Sequence, residues 1–236
     1  VTTTTAPRRK VAKKTPSPRA RATAAAELPP HPTRGRKLPA EILTNAELDS
    51  MLRTCSLRAP SGIRDRALIG FLAGSGLRIS EALALRPCDI DRQTGTVRVL
   101  HGKGNQATSR GATEAALLAV DRWLDVRAKL GAKPAHALFC AISAGKVGRP
   151  MDASQIRHMF KRRAARAGIV KRVHVHGMRH KYATDLIAAG CPINELQVLL
   201  GHRHLVTTVR YVQQLPPEVA IRNMRARMSQ TAPPTV

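Results

Sequence analysis

From about residue 38 onward, apolar side chains recur every three or four positions, the spacing that gathers them on one face of an α-helix. Thr44 or Asn45 can cap a first helix that carries Leu48, Met51 and Leu52. After the Pro60-Ser-Gly break, Ile63, Ala67, Leu68, Phe71 and Leu72 define a second, which Gly74-Ser-Gly76 ends. A third begins at Arg78, runs to Leu85 and is closed by Pro87. Residues 112–130 predict a long helix with Leu117, Leu118, Trp123, Leu124 and Val126 as its apolar positions. Asp152 is placed to N-cap a helix reaching about Ala167, with Gly168 as its stop. Four short helices follow over 177–189, 193–200, 205–213 and 218–228, separated by Gly190, Gly201 and Pro216-Pro217.

Residues 96–100 instead alternate as a strand does, and His101-Gly-Lys103-Gly-Asn105 reads as a turn, which puts Lys103 at the tip of a β-hairpin. The returning strand, 106–110, has poor strand composition. Residues 137–142 read as a short buried strand. The fold expected is mainly α with a small antiparallel β-sheet, an α+β domain over 38–228, with no internal repeat. Residues 1–37 hold almost no large apolar side chains and many Arg and Lys, so they read as a disordered basic arm, and 229–236 as a disordered tail.

Charge narrows the partner. Forty Lys and Arg against 15 Asp and Glu give a net charge of +25, which calls for an anionic partner or an anionic surface, with nucleic acid as the default reading. Aromatic residues make up only 3% of the chain, too few for the stacked platforms that hold single strands, so double-stranded DNA held through its phosphates fits better. The helix after Asp152 carries Arg157, Lys161, Arg162 and Arg163 as its DNA-facing candidates. Cys55, Cys88, Cys140 and Cys191 lie far apart without a C-x-x-C pair, which argues against a zinc finger or a disulfide framework and for reduced thiols. No apolar run reaches membrane-spanning length, and a cytoplasmic, DNA-associated protein is expected.

The chemistry follows from what breaking a phosphodiester without metal demands. A nucleophile attacks phosphorus, cations hold the charge on the non-bridging oxygens, and an acid protonates the departing 5′-oxygen. Arginine holds two phosphate oxygens at once and stays charged, and a tyrosine can form a covalent phosphotyrosine that keeps the bond energy for rejoining. The chain offers each type: Arg78 at a helix start, Lys103 on a turn, His176 and Arg179 three apart, His202 after Gly201, and Tyr211 nine residues later. The histidines could be read as metal ligands, but neither a familiar zinc spacing nor H-E-x-x-H is present. Tyr182, the rival nucleophile, lies among apolar helix positions and reads as packing.

Gly76-Leu-Arg78-Ile-Ser-Glu81, Gly102-Lys103-Gly104, His176-x-x-Arg179-His180, Leu199-Leu-Gly-His202 and Thr207-Thr-x-x-Tyr211 together resemble the tyrosine recombinase (phage integrase) family, from about residue 40 to 225. The resemblance implies that family's catalytic-domain fold, with Tyr211 as nucleophile and Arg78 and Arg179 clamping the phosphate. It also implies Lys103 as acid for the leaving oxygen, His176 as acid/base toward the tyrosine, and His202 as a hydrogen-bond donor to the transition state. Neither cofactor nor metal is implied. A homotetramer acting on two DNA sites is, with residues 218–228 as the segment that docks on a neighbour and DNA-bending accessory proteins as further partners. Two departures stand out. The family follows its lysine turn with an Arg-x-Val-Pro-Leu-like strand, where this chain has Ala107-Thr-Ser-Arg110-Gly-Ala-Thr. A helical core-binding domain, about a hundred residues as small domains run, usually comes first; here only the basic arm precedes residue 38, which leaves a short recombinase, a truncated relic and a fragment all open. A site-specific recombinase is the leading expectation, beside a type IB topoisomerase and a decayed integrase that only binds DNA.

Overall fold

The structure is a computed structural model that describes residues 1, 41–100, 107–213 and 216–231. The chain divides into two units, Val1–Pro39 and Ala40–Val236, and the second carries everything below. The expected arm (Val1 apart) and the hairpin-tip position of Lys103 lie outside the described residues.

Helix α1 (Asn45–Arg53) starts at a capping box. The Thr44 hydroxyl accepts from the Glu47 N–H, and the Glu47 carboxylate accepts from the Thr44 N–H, so two of the orphan donors of the first turn are satisfied. Helix α2 (Pro60–Ser75) begins on a proline and stops at Gly76, whose φ of 62° is left-handed. Helix α3 (Ile79–Ala84) is capped by Arg78, and a 3₁₀ turn at Pro87–Asp89 follows. Strands β1 (Ile90–Asp91), β2 (Thr96–Val99) and β3 (Thr108–Gly111) form an antiparallel sheet in the order β1-β2-β3. Helices α4 (Glu114–Lys129), α5 (Ala153–Arg166), α6 (His176–Ala188), α7 (Ile193–Leu200), α8 (Val206–Val212) and α9 (Pro217–Thr231) complete the described chain. The fold is therefore mainly helical with one small antiparallel sheet.

Three differences from the sequence pattern have physical reasons. β3 forms despite its composition because β2 supplies the ladder, pairing Thr96 with Gly111 and Val97 with Arg110. Residues 137–142 do not form a strand. Leu138 and Phe139 are fully buried, but their segment has other partners: the Leu138 N–H donates to the Leu85 carbonyl and the Trp123 indole N–H to the Leu138 carbonyl, leaving one isolated bridge, Cys140 to Pro150. α9 runs on to Thr231, where the pattern ends it at 228.

The core sits around α2, which packs against both α4 and α6, with Phe71 on Phe139 at a centroid separation of 5.7 Å and Trp123 fully enclosed. A second, smaller apolar cluster of Tyr182, Ala183, Ile187, Leu196, Leu200 and Tyr211 lies among α6, α7 and α8. Inside the larger core, Asp65 is held between Arg64 and Arg163 at 3.0 and 2.9 Å. That pairing corrects one expectation. Arg163 faces inward, donating to Asp65 and to the Thr54 carbonyl, and cannot serve the DNA-facing row, whereas Arg157, Lys161 and Arg162 are exposed on α5.

Candidate active site

Arg179 is the hub. It lies one turn into α6 and is almost fully enclosed, 2% exposed. Its guanidinium donates to the Gly76 carbonyl at the end of α2 (2.7 Å) and to the Leu200 carbonyl at the end of α7. Both acceptors are helix-terminal carbonyls without intrahelical partners, so one side chain closes two helix ends and joins them. Burial, then the neighbouring Arg78 cation, pulls its pKa down to about 10.

Gly76 sets the other side. A side chain there would meet the Tyr182 ring at 2.3 Å, and the left-handed turn throws the chain back so that Arg78 starts α3 two residues later. The Glu81 carboxylate accepts from both the Arg78 N–H and the Arg78 guanidinium, at 2.7 Å each. Glu81 thus caps the helix and aims the cation, while the Arg78 side chain remains 47% exposed. Tyr182 packs against Gly76 and points its hydroxyl at the Gly111 carbonyl, which fits a packing role and not a nucleophile's.

α7 ends at Gly201, with φ 63°, and His202 follows. Its Nδ1 lies 2.9 Å from the hydroxyl of Thr208, a fully buried residue on α8. One turn further along α8, Tyr211 is 4% exposed, its ring parallel to His202 at 6.3 Å and tilted against His180 at 5.4 Å. His180 and His176, one turn apart on α6, meet edge to face at 4.8 Å. Arg78, His176, Arg179, His202 and Tyr211 are thereby brought into one cluster; Lys103 falls outside the described residues. The ring nearest Tyr211 on α6 is His180, with His176 one ring further out.

Electrostatically, the described residues of the cluster are short of negative charge. Burial, then Arg179 and Arg78, lowers His202 to about 4; burial, then His176, lowers His180 to about 4, and His176 is lowered for similar reasons. Burial raises the Tyr211 phenol, while Arg179, Arg210 and Arg78 draw it back down. Among the described residues, neutral imidazoles, a neutral phenol and several guanidiniums face one carboxylate, Glu81, which Arg78 already occupies. Such a site is completed by an anion. The sequence suggests that Glu81 orients a cation or stabilises its helix, and it does both for Arg78; Thr208, in the sequence only part of the motif before Tyr211, proves to hold His202, and Arg110, in the sequence only part of a poor strand, faces inward opposite Val97.

Residues 41–217 match the phage integrase family, and the chain belongs to it: this is a tyrosine recombinase catalytic domain. Tyrosine recombinase XerC of Escherichia coli strain 536 is 31% identical over 190 residues, covering 78% of this chain. The chain spans 62% of that relative's length. Among solved structures, XerA recombinase aligns with a TM-score of 0.66 at 27% identity, covering 88% of this chain and 68% of that one. XerH recombinase bound to its difH substrate aligns at 0.62 and 27% identity, over 75% of this chain and 50% of that one. The Tn1549 transposon integrase in complex with circular intermediate DNA gives 0.62 and 27%, over 80% and 66%.

Proposed function

We propose that this protein is a site-specific DNA recombinase that cuts and rejoins double-stranded DNA through a 3′-phosphotyrosine. The observation that carries the reading is the Tyr211 phenol, buried between His202 and His180 within the field of Arg179 and Arg78. In the cutting step the Tyr211 oxygen attacks phosphorus, the phosphorus–O5′ bond breaks, and the DNA strand leaves with a free 5′-hydroxyl. Arg78, aimed by Glu81, and Arg179 hold the non-bridging oxygens. Thr208 donates its hydroxyl proton to His202 Nδ1, which leaves Nε2–H to hydrogen-bond the phosphate. The phenol's proton passes to the His180–His176 pair, with His176 as the exposed acid/base end, and Lys103 on the β2–β3 connection protonates the leaving oxygen. A bound phosphate raises the depressed imidazoles toward the range where they exchange protons, so the site becomes competent as substrate arrives. The phosphotyrosine bond stores the energy for rejoining, so the reaction takes neither metal nor nucleotide.

Support for DNA as substrate comes from the net charge of +25, the exposed Arg157, Lys161 and Arg162, and relatives solved with DNA. Recombination joins two duplexes, and a homotetramer is the assembly we propose for it. α9 is the docking element: Ile221 and Met224 are each 51% exposed, while Arg222 and Asn223 hold the helix to the end of α6. Work on a mobile element's DNA fits the Tn1549 transposon integrase, and we propose that it takes place in the cytoplasm with DNA-bending proteins assisting.

The test is covalent trapping on nicked duplexes drawn from randomised or genomic DNA. Wild type is expected to give a denaturant-resistant protein–DNA adduct and Tyr211→Phe none, with DNA binding kept. An adduct from the Phe variant would remove Tyr211 from the reaction.

A further inference from the structure

Four buried arginines in the described chain invite comparison, because a buried guanidinium is costly unless something neutralises or binds it. Arg127 donates to four carbonyls, those of Ala132, Lys133, His136 and Ala137. Arg163 pairs with Asp65, and Arg179 holds two helix-terminal carbonyls. Arg110 differs. It is 8% exposed, its one hydrogen bond among the described residues is to the carbonyl of its neighbour Ser109, its Nε is enclosed without a partner, and no carboxylate there pairs with it.

Its position is not accidental to the fold. Arg110 lies opposite Val97 in the β2–β3 ladder, and directly opposed residues share a face; Val97 is fully buried. A guanidinium therefore takes a core-facing register where the sheet's other inward positions, Val97 and Val99, are apolar. It extends to the end of α7, where a Cβ on Gly201 would lie 1.7 Å from its Nη2. Only a glycine leaves room for it, one residue before His202. From there its charge acts on Arg179 and His202, and Arg78 and Glu81 act on it in turn.

We propose that Arg110 is a third arginine of the phosphate site, joining Arg78 and Arg179 in binding the scissile phosphodiester. The inference rests on the recombinase reading for the identity of that phosphate, but the anion site itself does not depend on it. An anion entering the cluster gives the enclosed fork the acceptor that the described residues do not supply, and so binds more tightly than to Arg78 and Arg179 alone.

The experiment has two arms on the full chain. In the first, thermal unfolding is followed against inorganic phosphate, with chloride controls at matched ionic strength, for wild type, Arg110→Met and Lys133→Gln, an exposed lysine outside the cluster. Methionine fills similar space without charge, so a merely space-filling Arg110 predicts wild-type behaviour. The expected result is a phosphate midpoint raised at least tenfold in Arg110→Met and unchanged in Lys133→Gln. In the second arm, adduct formation on nicked duplex is expected to slow at least tenfold in Arg110→Met. Should the Met variant not fold, Arg110→Gln is read by the same criteria. Equal phosphate midpoints in wild type and the Arg110 variant, or equal rates of adduct formation, would overturn the proposal. Tyr211→Phe separates the two readings: it keeps the wild-type phosphate midpoint while losing the adduct. If wild type itself forms no adduct on any DNA, the recombinase reading fails and the phosphate arm alone decides for or against Arg110.

Discussion

Thr208→Val tests whether the bond between His202 and the tyrosine helix matters to the chemistry. The change swaps a hydroxyl for a methyl at a fully buried, β-branched position, so shape and helix preference are nearly kept and no cavity opens. What is lost is one hydrogen bond, 2.9 Å from Thr208 Oγ1 to His202 Nδ1. Such a bond contributes about 1 kcal/mol net, and His202 is half-buried, so its freed nitrogen can turn to water without a large penalty. For a folded unit of this size that is a fall in Tm of about 2–4 °C. The effect on rate should be larger. Without the Thr208 hydroxyl nothing fixes which His202 nitrogen carries the proton, and losing one aimed donor to a transition-state oxyanion costs roughly 10²–10³ in rate. Some of that survives through the other tautomer's exchange, so a loss of at least ~10-fold in single-turnover adduct formation is expected, with DNA affinity unchanged. A variant that cuts at the wild-type rate, or that loses binding in proportion to cutting, would refute the tethering argument.

Two further outcomes follow from the same geometry. Asp65→Asn leaves the buried Arg163 and the half-buried Arg64 without their shared carboxylate, and urea unfolding should lose about 3–5 kcal/mol; a loss near zero would mean the triad relaxes onto water. Stability should also fall with acid: His180 and His202 sit at about 4 against an ordinary 6.5, so the unfolded chain takes up protons first as the pH drops. The contribution is complete above pH 6.5 and is lost progressively toward 4. A tenfold drop in a ring's proton affinity on folding is worth about 1.4 kcal/mol, and solvent reaching these half-buried rings reduces that figure. Urea midpoints at pH 7.5, 5.5 and 4.5 measure it, and His180→Gln with His202→Gln should flatten the slope; a double variant with the wild-type slope would point to other groups.

The helices were legible because their signals are local. Thr44 with Glu47, Gly76, Asp152, Gly168 and Gly201 mark ends within a few residues of where they fall. The clustering of Arg78, Arg179, His202 and Tyr211 was legible only because five motifs occur together in order; nothing in their spacing reveals that Arg179 links the ends of α2 and α7. Non-local partners account for what the pattern missed. The 137–142 segment is apolar enough for a strand, yet Leu138 bonds to Leu85, far away in sequence, and to Trp123, while Ala141 turns back onto Gly148 and Arg149. Arg163 reads as one more cation on a basic helix until Asp65, 98 residues earlier, claims it. Arg110 looks like the residue of a poor strand, and its meaning depends on a register and on a glycine at the far end of α7.

The two apolar clusters hold different halves of the proposed site. Arg78 starts the helix after α2, in the larger core, whereas Tyr211 is seated in the six-residue cluster with α7. Arg179 crosses between them, one hydrogen bond on each side. Proteins open in pieces whose individual free energies lie below that of complete unfolding, and a cluster of six side chains opens more readily than the body around α2. On the proposed reading of Tyr211 as nucleophile, parting that seam is the local opening that withdraws it. Contacts made on α7 and α8 then bear directly, on that reading, on how Tyr211 is held, without having to reshape the larger core around α2.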